Sequence, residues 1–359
     1  MNKILEELGI KILWLDSLGA KSFSLEVETR KGYVVLDPGA AEMQPSYPLP
    51  VEEKLRLKKE AQKTVEKACS RARVIIVTHY HYDHHIPPTR CINPRATWLG
   101  KILVLKNPNI FINESQWARA RQLIMELAGL AGVGIDECLS RPRRIVVEDP
   151  VKKLGIALSK NYGDYQARRE ELLAKGREWF NKLVSKLWSS QPWISECKLG
   201  NTRLVWGDKR VLSLGDTIIR ILEPWFHGLE YDRTGWVTPV VIEKNGKRVF
   251  YTSDLMGPII EDYAYNIIKY KPDILIIDGP PTYLFPYMFN RINLERAVRN
   301  IITIIHELEP ELIIYDHHLL REKRWRERVS PVYSEAGKKG VRILTAAEYM
   351  GKKPLIDTL

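Results

Sequence analysis

One eight-residue stretch, THYHYDHH at 78–85, constrains this chain more than any other, because it follows directly on the apolar run VIIV at 74–77. The chain has 8 histidines in 359 residues, and four of them, His79, His81, His84 and His85, crowd into this one segment. Four imidazoles have no place together in an apolar core unless each ring nitrogen finds a hydrogen bond or a metal. VIIV reads as a buried strand, so the fold has to present the cluster where that strand ends and a loop begins. Ligands separated by one residue in an extended segment can reach the same ion, which makes His79 and His81 a pair. Asp83 and His84 stand beside them and suit a second ion a few ångströms away.

The remaining ligands must come from elsewhere, and three later positions qualify, each at the end of a predicted strand. They are His227 in EPWFHG, Asp254 in VFYTSD, and His317 or His318 in LIIYDHH. Around them the pattern is regular. Strands at 10–15, 22–29 and 33–39 alternate as an antiparallel meander closing on Asp37, and a charged helix at 51–69 feeds the strand before the histidines. From 107 to 200 the sequence turns helical and basic, with a helix starting at a capping Asp164 and docking one broad apolar face. Its Trp and Phe residues read as core. Strands then return, with EKNGKR as a hairpin signal. Strands at 273–278 and 311–316 flank a helix at 294–308 capped by Asn293. Asp278 closes one of these strands and suits either a cleft-facing or a turn-capping role. His306, inside the helix, reads as structural. Two β-rich halves, each finished by alternating helices and strands, imply two sheets packed face to face with helices outside.

The motif at 79–84, HYHYDH, resembles the HxHxDH hallmark of the metallo-β-lactamase superfamily. The ordered set from Asp37 through the loop, His227, Asp254 and a late histidine resembles that superfamily too. The segments DHHLLRE and DGPPTYL look similar to an archaeal branch of it. The resemblance implies a four-layer αββα sandwich over 1–359 as one domain, interrupted by the basic helical insertion at 107–200. It implies that His79, His81 and His227 hold one metal, that Asp83, His84 and His317 hold the second, and that Asp254 bridges them. His317 follows its strand most directly, with His318 as the alternative. Asp37 would orient a ligand from behind, and Asp278 would stand near the same cleft. Two divalent ions are implied, zinc first, with iron or manganese also suited to a mixed N/O donor set. Two cations sharing a water would lower its pKa from ~16 towards neutrality. Asp83 would orient that nucleophile, with His85 and His318 as candidate donors to the leaving group. The loop continues as HIPP rather than with glycines, so no substrate carries over from familiar members.

Charge adds a direction. The net charge is +11, and residues 141–210 hold 16 Lys and Arg against 8 Asp and Glu, or +8 of it. Such a basic face suits an anionic substrate or nucleic acid, and equally a solvated surface. Three functions follow: a metal-dependent hydrolase of phosphodiesters, a hydrolase of small esters, thioesters or lactones, and a non-catalytic nucleic-acid-binding or scaffold protein with a structural metal. The four cysteines form no CxxC pair and read as reduced, packed thiols. Glu6 and Glu7 interrupt any apolar leader, and no stretch reaches a membrane span, so a cytoplasmic protein is expected. The richness in Lys, Arg, Glu and Ile suits a thermophile.

Overall fold

Strand after strand in this protein is apolar on both faces, and that property sets the layers. In the computed structural model, which describes residues 3–359, the first sheet contains β1 (Ile10–Leu15), β2 (Phe23–Thr29), β3 (Gly32–Leu36), β4 (Ala72–Val77), β5 (Ile102–Leu105), β6 (Cys197–Leu199) and β7 (Thr202–Trp206), in spatial order 1-2-3-4-5-7-6. The second contains β8 (Val211–Ser213), β9 (Thr217–Ile221), β10 (Val240–Lys244), β11 (Lys247–Tyr251), β12 (Ile274–Asp278), β13 (Leu312–Asp316) and β14 (Ile343–Leu344), in sequential order.

Successive side chains of a strand point to opposite faces, so a doubly buried strand feeds two different cores. Val74 and Ile76 of β4 pack with Ile274, Ile276, Leu312 and Ile314 of the facing sheet. Ile75 and Val77 point the other way, into a core shared with Leu57, Ala61 and Val65 of helix α1 (Val51–Arg71). Leu275 and Ile277 likewise lie in the outer core with Ile267, Ile301 and Ile305 of the helices that cover the second sheet. The result is the expected αββα sandwich.

Each sheet begins as an antiparallel meander and continues in parallel strands, the first closing with β6 antiparallel to β7. In the first sheet β3, β4, β5 and β7 run parallel. In the second, β11 to β14 do. Parallel neighbours finish on the same side, so the carboxyl ends of β3, β4, β11, β12 and β13 gather along one edge of the sandwich. The EKNGKR turn is a two-residue hairpin loop between Lys244 and Lys247, with Asn245 and Gly246 at positive φ, as such tight turns require.

Between β5 and β6 the chain leaves the sheet for α2 (Glu114–Ala131) and α3 (Gln166–Lys182), the latter continuing as a π-helical turn to Trp188. Trp179 stacks on Trp236 at 5.7 Å, and Trp188 donates its indole N–H to the Ile112 carbonyl at 2.9 Å, so these aromatics are core. Two helix starts differ from expectation. Asp164 lies in a 3-10 turn and does not cap α3, because Tyr165 precedes the first helical residue. The helix α4 (Arg291–Leu308) is capped by Asn290, whose side chain accepts from the Asn293 N–H at 2.9 Å. The capping residue therefore sits three positions earlier, where the chain leaves its extended conformation.

The cysteine reading needs correcting as well. Cys138 and Cys197 form a disulfide that joins the end of the α2 region to the edge strand β6, and only Cys69 and Cys91 are free thiols. Their separation of 59 residues carries no local signature, which is why no motif betrayed the pair. Closing a loop of this length removes unfolded-state entropy equivalent to about 4 kcal/mol. Cys138→Ser is expected to lower the thermal midpoint by several degrees, read by calorimetry, whereas Cys91→Ser should leave it nearly unchanged. Among the described residues, no helix is long and apolar enough to cross a membrane.

Candidate metal centre

The strand ends deliver the site. Asp37 follows β3 in a left-handed conformation (φ 46°) that turns its carboxylate back under β4. There it accepts from the Thr78 N–H at 2.7 Å, the Thr78 hydroxyl at 2.6 Å, the Tyr251 hydroxyl at 2.6 Å and Nδ1 of His84 at 2.8 Å. Gly39, two residues on, lies against the backbone of the histidine loop so closely that a Cβ there would stand 2.0 Å from the carbonyl carbon of Asp83.

Three donor groups converge, and each contains Asp254. His79, His81, His227 and Asp254 form one; Asp83, His84, Asp254 and His317 form another; Asp254, Asp278 and His318 form the third. Within each, the ligand atoms all lie within 4.8 Å of one another. The two oxygens of Asp254 divide the set. Oδ2 stands 3.4 Å from Nε2 of His79 and 3.3 Å from Nε2 of His227. Oδ1 stands 2.9 Å from Nε2 of His84 and 3.3 Å from Nε2 of His317. His81 turns its Nδ1 to within 3.1 Å of His79 Nε2.

The imidazoles are held from behind. His84 leans on Asp37, His317 on Asp16 through Nδ1 at 2.9 Å, His318 on Asp278 at 3.2 Å, and His79 on the Ser253 hydroxyl at 3.3 Å. A carboxylate or hydroxyl on one ring nitrogen fixes the tautomer and aims the other nitrogen at the centre. Asp278 also accepts from the backbone N–H groups of Leu255 and Met256, so it steadies the turn that carries Asp254. His85 is placed differently. Its Nδ1 donates to the His81 carbonyl at 3.0 Å, its ring faces Tyr80 and Tyr82, and it belongs to none of the three groups. His306 lies on the surface against Glu335.

Electrostatics fit the same picture. Burial pushes the His79 imidazole down to about 4 and holds His81 well below its ordinary value, so both rings are neutral donors. Burial works against charge on His317 too, but Asp16 and Asp254 overcome it and raise the ring to about 10. His84 is raised for the same reason by Asp254 and Asp37. Asp83 and Asp254 stay well below the carboxylate range despite burial, because cationic rings surround them. Burial, and then the neighbouring Asp254 charge, lifts Asp278 to about 7.

These residues fit a pair of metal ions. Both oxygens of Asp254, both ring nitrogens of His227 and Nε2 of His84 are buried and, among the described residues, make no hydrogen bond, an arrangement that is costly unless a cation completes it. The donors are imidazole and carboxylate, the set that suits zinc, iron or manganese. The donors are unequally exposed: His79, His84 and His317 are fully buried, while His81 and Asp83 are the partly exposed members.

Sequence reasoning missed four contributors. Asp16 closes β1 much as Asp37 closes β3, and that parallel was its one available signal. Arg321 lies four residues beyond His317, with its guanidinium buried at the centre. Lys21 is partly buried and feels the charges of Arg321 and Asp83, and Tyr251 reaches Asp37 from the opposite sheet. Two arginines of the basic segment are placed differently from each other. Arg169 is buried and paired with Glu230 at 2.7 Å, in a network that continues through Arg296 to Glu261. Arg168 pairs with Glu171 on the surface. Glu230 belongs to the loop after His227, so this network ties the insertion to the ligand loop.

A αββα sandwich with this histidine–aspartate cluster along the carboxyl edge of its strands defines a protein of the metallo-β-lactamase fold. The chain belongs to the UPF0282 family: it is 30% identical over 349 residues to a UPF0282 protein of Methanopyrus kandleri, spanning 95% of this chain and 93% of that one. It is also 28% identical over 338 residues to a UPF0282 protein of Korarchaeum cryptofilum, spanning 94% and 87%. No family model matches the chain. Among solved structures it is similar to CmlA, a diiron β-hydroxylase from Streptomyces venezuelae, with a TM-score of 0.41 and 13% identity over 91% of this chain and 51% of that one. It is similar as well to the metallo-β-lactamase fold protein YhfI of Bacillus subtilis, with a TM-score of 0.39 and 12% identity over 94% and 95%.

Proposed function

We propose that this protein is a metal-dependent hydrolase that holds two divalent ions, zinc first among them, and cleaves a phosphodiester. One observation carries the reading: a single buried carboxylate, Asp254, offers one oxygen to each of two histidine-rich donor groups and bonds to nothing else. Ions bound there would supply Lewis acidity and bring a shared water towards ionisation at neutral pH. The chain's own residues do the rest. Asp83, on the open side, is placed to orient a nucleophile, while Asp37 and Asp16 keep His84 and His317 in one orientation. His318, held by Asp278 with its Nε2 3.7 Å from Asp254, is the residue proposed to meet the leaving group.

A second reading, hydrolysis of a small ester, thioester or lactone, draws support from the deep burial of most of the donors. The support for nucleic acid is weaker than charge alone implied, because Arg169 is spent inside the protein. The test is to incubate metal-loaded protein with bis(p-nitrophenyl) phosphate, RNA, single-stranded DNA and p-nitrophenyl acetate. Nitrophenolate release from the diester, abolished by a chelator and restored by metal, is the expected result. Turnover of the acetate alone would move the assignment to the second reading. If no substrate turns over and His79→Ala with Asp254→Ala still folds and binds nucleic acid, the protein is a scaffold with a structural metal.

A further inference from the structure

We propose that Arg90 and Arg119 form a phosphate-binding platform at the rim of the donor cluster, so that the substrate is a nucleic-acid strand and the phosphate they grip is a neighbour of the scissile one. The inference rests on the hydrolase reading and narrows its substrate class.

The platform is built on Tyr82. This partly buried residue lies in the histidine loop between His81 and Asp83, the two donors that are themselves partly exposed. The guanidinium carbon of Arg90 lies over its ring at 4.4 Å from the centroid, and that of Arg119 at 4.7 Å. Arg90 is exposed and closes the 3-10 turn Pro88–Arg90, where the adjoining prolines of the HIPP segment fix the backbone. Arg119 is half-buried and projects from the first half of α2. Glu126 of α2 holds the turn against the helix, accepting from the Thr89 N–H and the Thr89 hydroxyl, each at 3.0 Å. Histidine loop, proline turn and helix thus converge on one aromatic ring.

Two guanidiniums drawn to the same ring repel each other, and a carboxylate beside them would offset that repulsion. None is there. Among the described residues, neither side chain makes an ion pair or a hydrogen bond, and the ring face is the sole contact given to each. The acids of the surrounding elements are engaged elsewhere. Glu126 takes the Gln122 side chain at 2.8 Å in addition to Thr89. Glu66 of α1 accepts from the Ile92 and Asn93 N–H groups, both at 2.8 Å, and from Gln62 at 2.7 Å. Asp83 turns towards Arg321 at 3.3 Å and His317 at 3.7 Å. The residues one helical turn from Arg119, namely Ser115, Gln116, Gln122 and Leu123, carry no charge.

A pair of cations that the protein leaves without a counter-charge, beside two of the donors, suits an anion brought by the substrate. The planar fork of arginine matches phosphate oxygens, and such charge-assisted bonds are the strong ones. The platform belongs to none of the three donor groups, so a substrate with one phosphate, held at the centre, has nothing to place on it. A strand does, because every scissile phosphodiester within it has a phosphate next door.

Anisotropy titration of a fluorescein-labelled uridine decamer with the full chain, in chelator so that it is not cut, tests this. The wild type should bind, and Arg90→Gln combined with Arg119→Gln should weaken binding about tenfold or more and flatten its logarithmic salt dependence by about 0.7, the release expected for one phosphate of a single strand. Arg168→Gln, the same charge change at a surface arginine of the 107–200 segment, should leave the affinity within about twofold. Arg90→Lys with Arg119→Lys should retain most of the binding, and supplies the reading if the glutamine variant does not fold. With metal restored, the glutamine variant should raise KM for the decamer far more than KM for bis(p-nitrophenyl) phosphate. Equal decamer affinity and KM in wild type and variant overturn the platform, while cleavage of bis(p-nitrophenyl) phosphate leaves the hydrolase reading standing. Equal losses in Arg168→Gln overturn it too, since general charge then accounts for binding. Tripolyphosphate that binds more tightly than the decamer, with the same dependence on both arginines, overturns the nucleic-acid assignment in favour of an oligophosphate. Failure of the metal-loaded wild type to cleave any phosphodiester defeats the hydrolase reading and the platform with it.

Discussion

Asp254→Ala is expected to reduce bound metal from two equivalents to fewer than one and to cut hydrolysis by about three orders of magnitude or more. The size follows from its position, since Oδ1 and Oδ2 are each shared with a different pair of imidazoles at 2.9–3.4 Å. No neighbouring carboxylate replaces it on both sides. Asp83 serves only the group of His84 and His317, and Asp278 reaches only His318. Elemental analysis gives the stoichiometry, and zinc-dependent thermal stabilisation gives an activity-free check, because a ligand that binds only the folded state raises its midpoint. A variant that retains two equivalents and the full thermal shift would end the shared-carboxylate account.

The second large effect is expected at Gly39. Its φ is not unusual, so alanine meets no backbone penalty there; the obstacle is space. A Cβ would lie 2.0 Å from the Asp83 carbonyl carbon, 2.1 Å from its oxygen and 2.2 Å from the His84 nitrogen. All three are backbone atoms and cannot swing aside. Either the Asp37–Gly39 turn or the histidine loop must shift by more than an ångström, although both are pinned, Ile86 N–H to the Pro38 carbonyl at 3.0 Å and the Ser22 hydroxyl to the Gly39 carbonyl at 2.7 Å. Gly39→Ala should cost about 3 kcal/mol in chemical unfolding and lose metal as well. Gly129→Ala in α2, where a Cβ meets nothing within 4 Å, is the matched control and should do neither.

How much of this was legible depended on whether the cause is local. Most strands of both sheets announced themselves because doubly buried strands are continuous apolar runs, and VIIV told where the histidines must emerge; Ile102–Leu105 and Cys197–Leu199 went unread. The cluster itself was dense enough to require partners, and the structure brings His227, Asp254, His317 and His318 to it. Asp37 was visible as a strand-closing carboxylate. Asp16 in the same position was overlooked, because its role exists only once His317, some 300 residues later, folds onto it. Arg321 and Lys21 are ordinary basic residues in sequence, and only tertiary packing turns them inward. The Cys138–Cys197 bond is likewise a matter of distance in space. Net charge misled in part: it counts Arg169 as surface although two buried glutamates claim its neighbourhood.

That buried quartet of Arg169, Glu230, Arg296 and Glu261 has a bearing on how anything gets in. Each side chain is 2–6% exposed, and pulling the helices apart would strand four ions among apolar walls. The 107–200 segment is thus masonry rather than a door. Whatever reaches the site does so without that segment swinging aside.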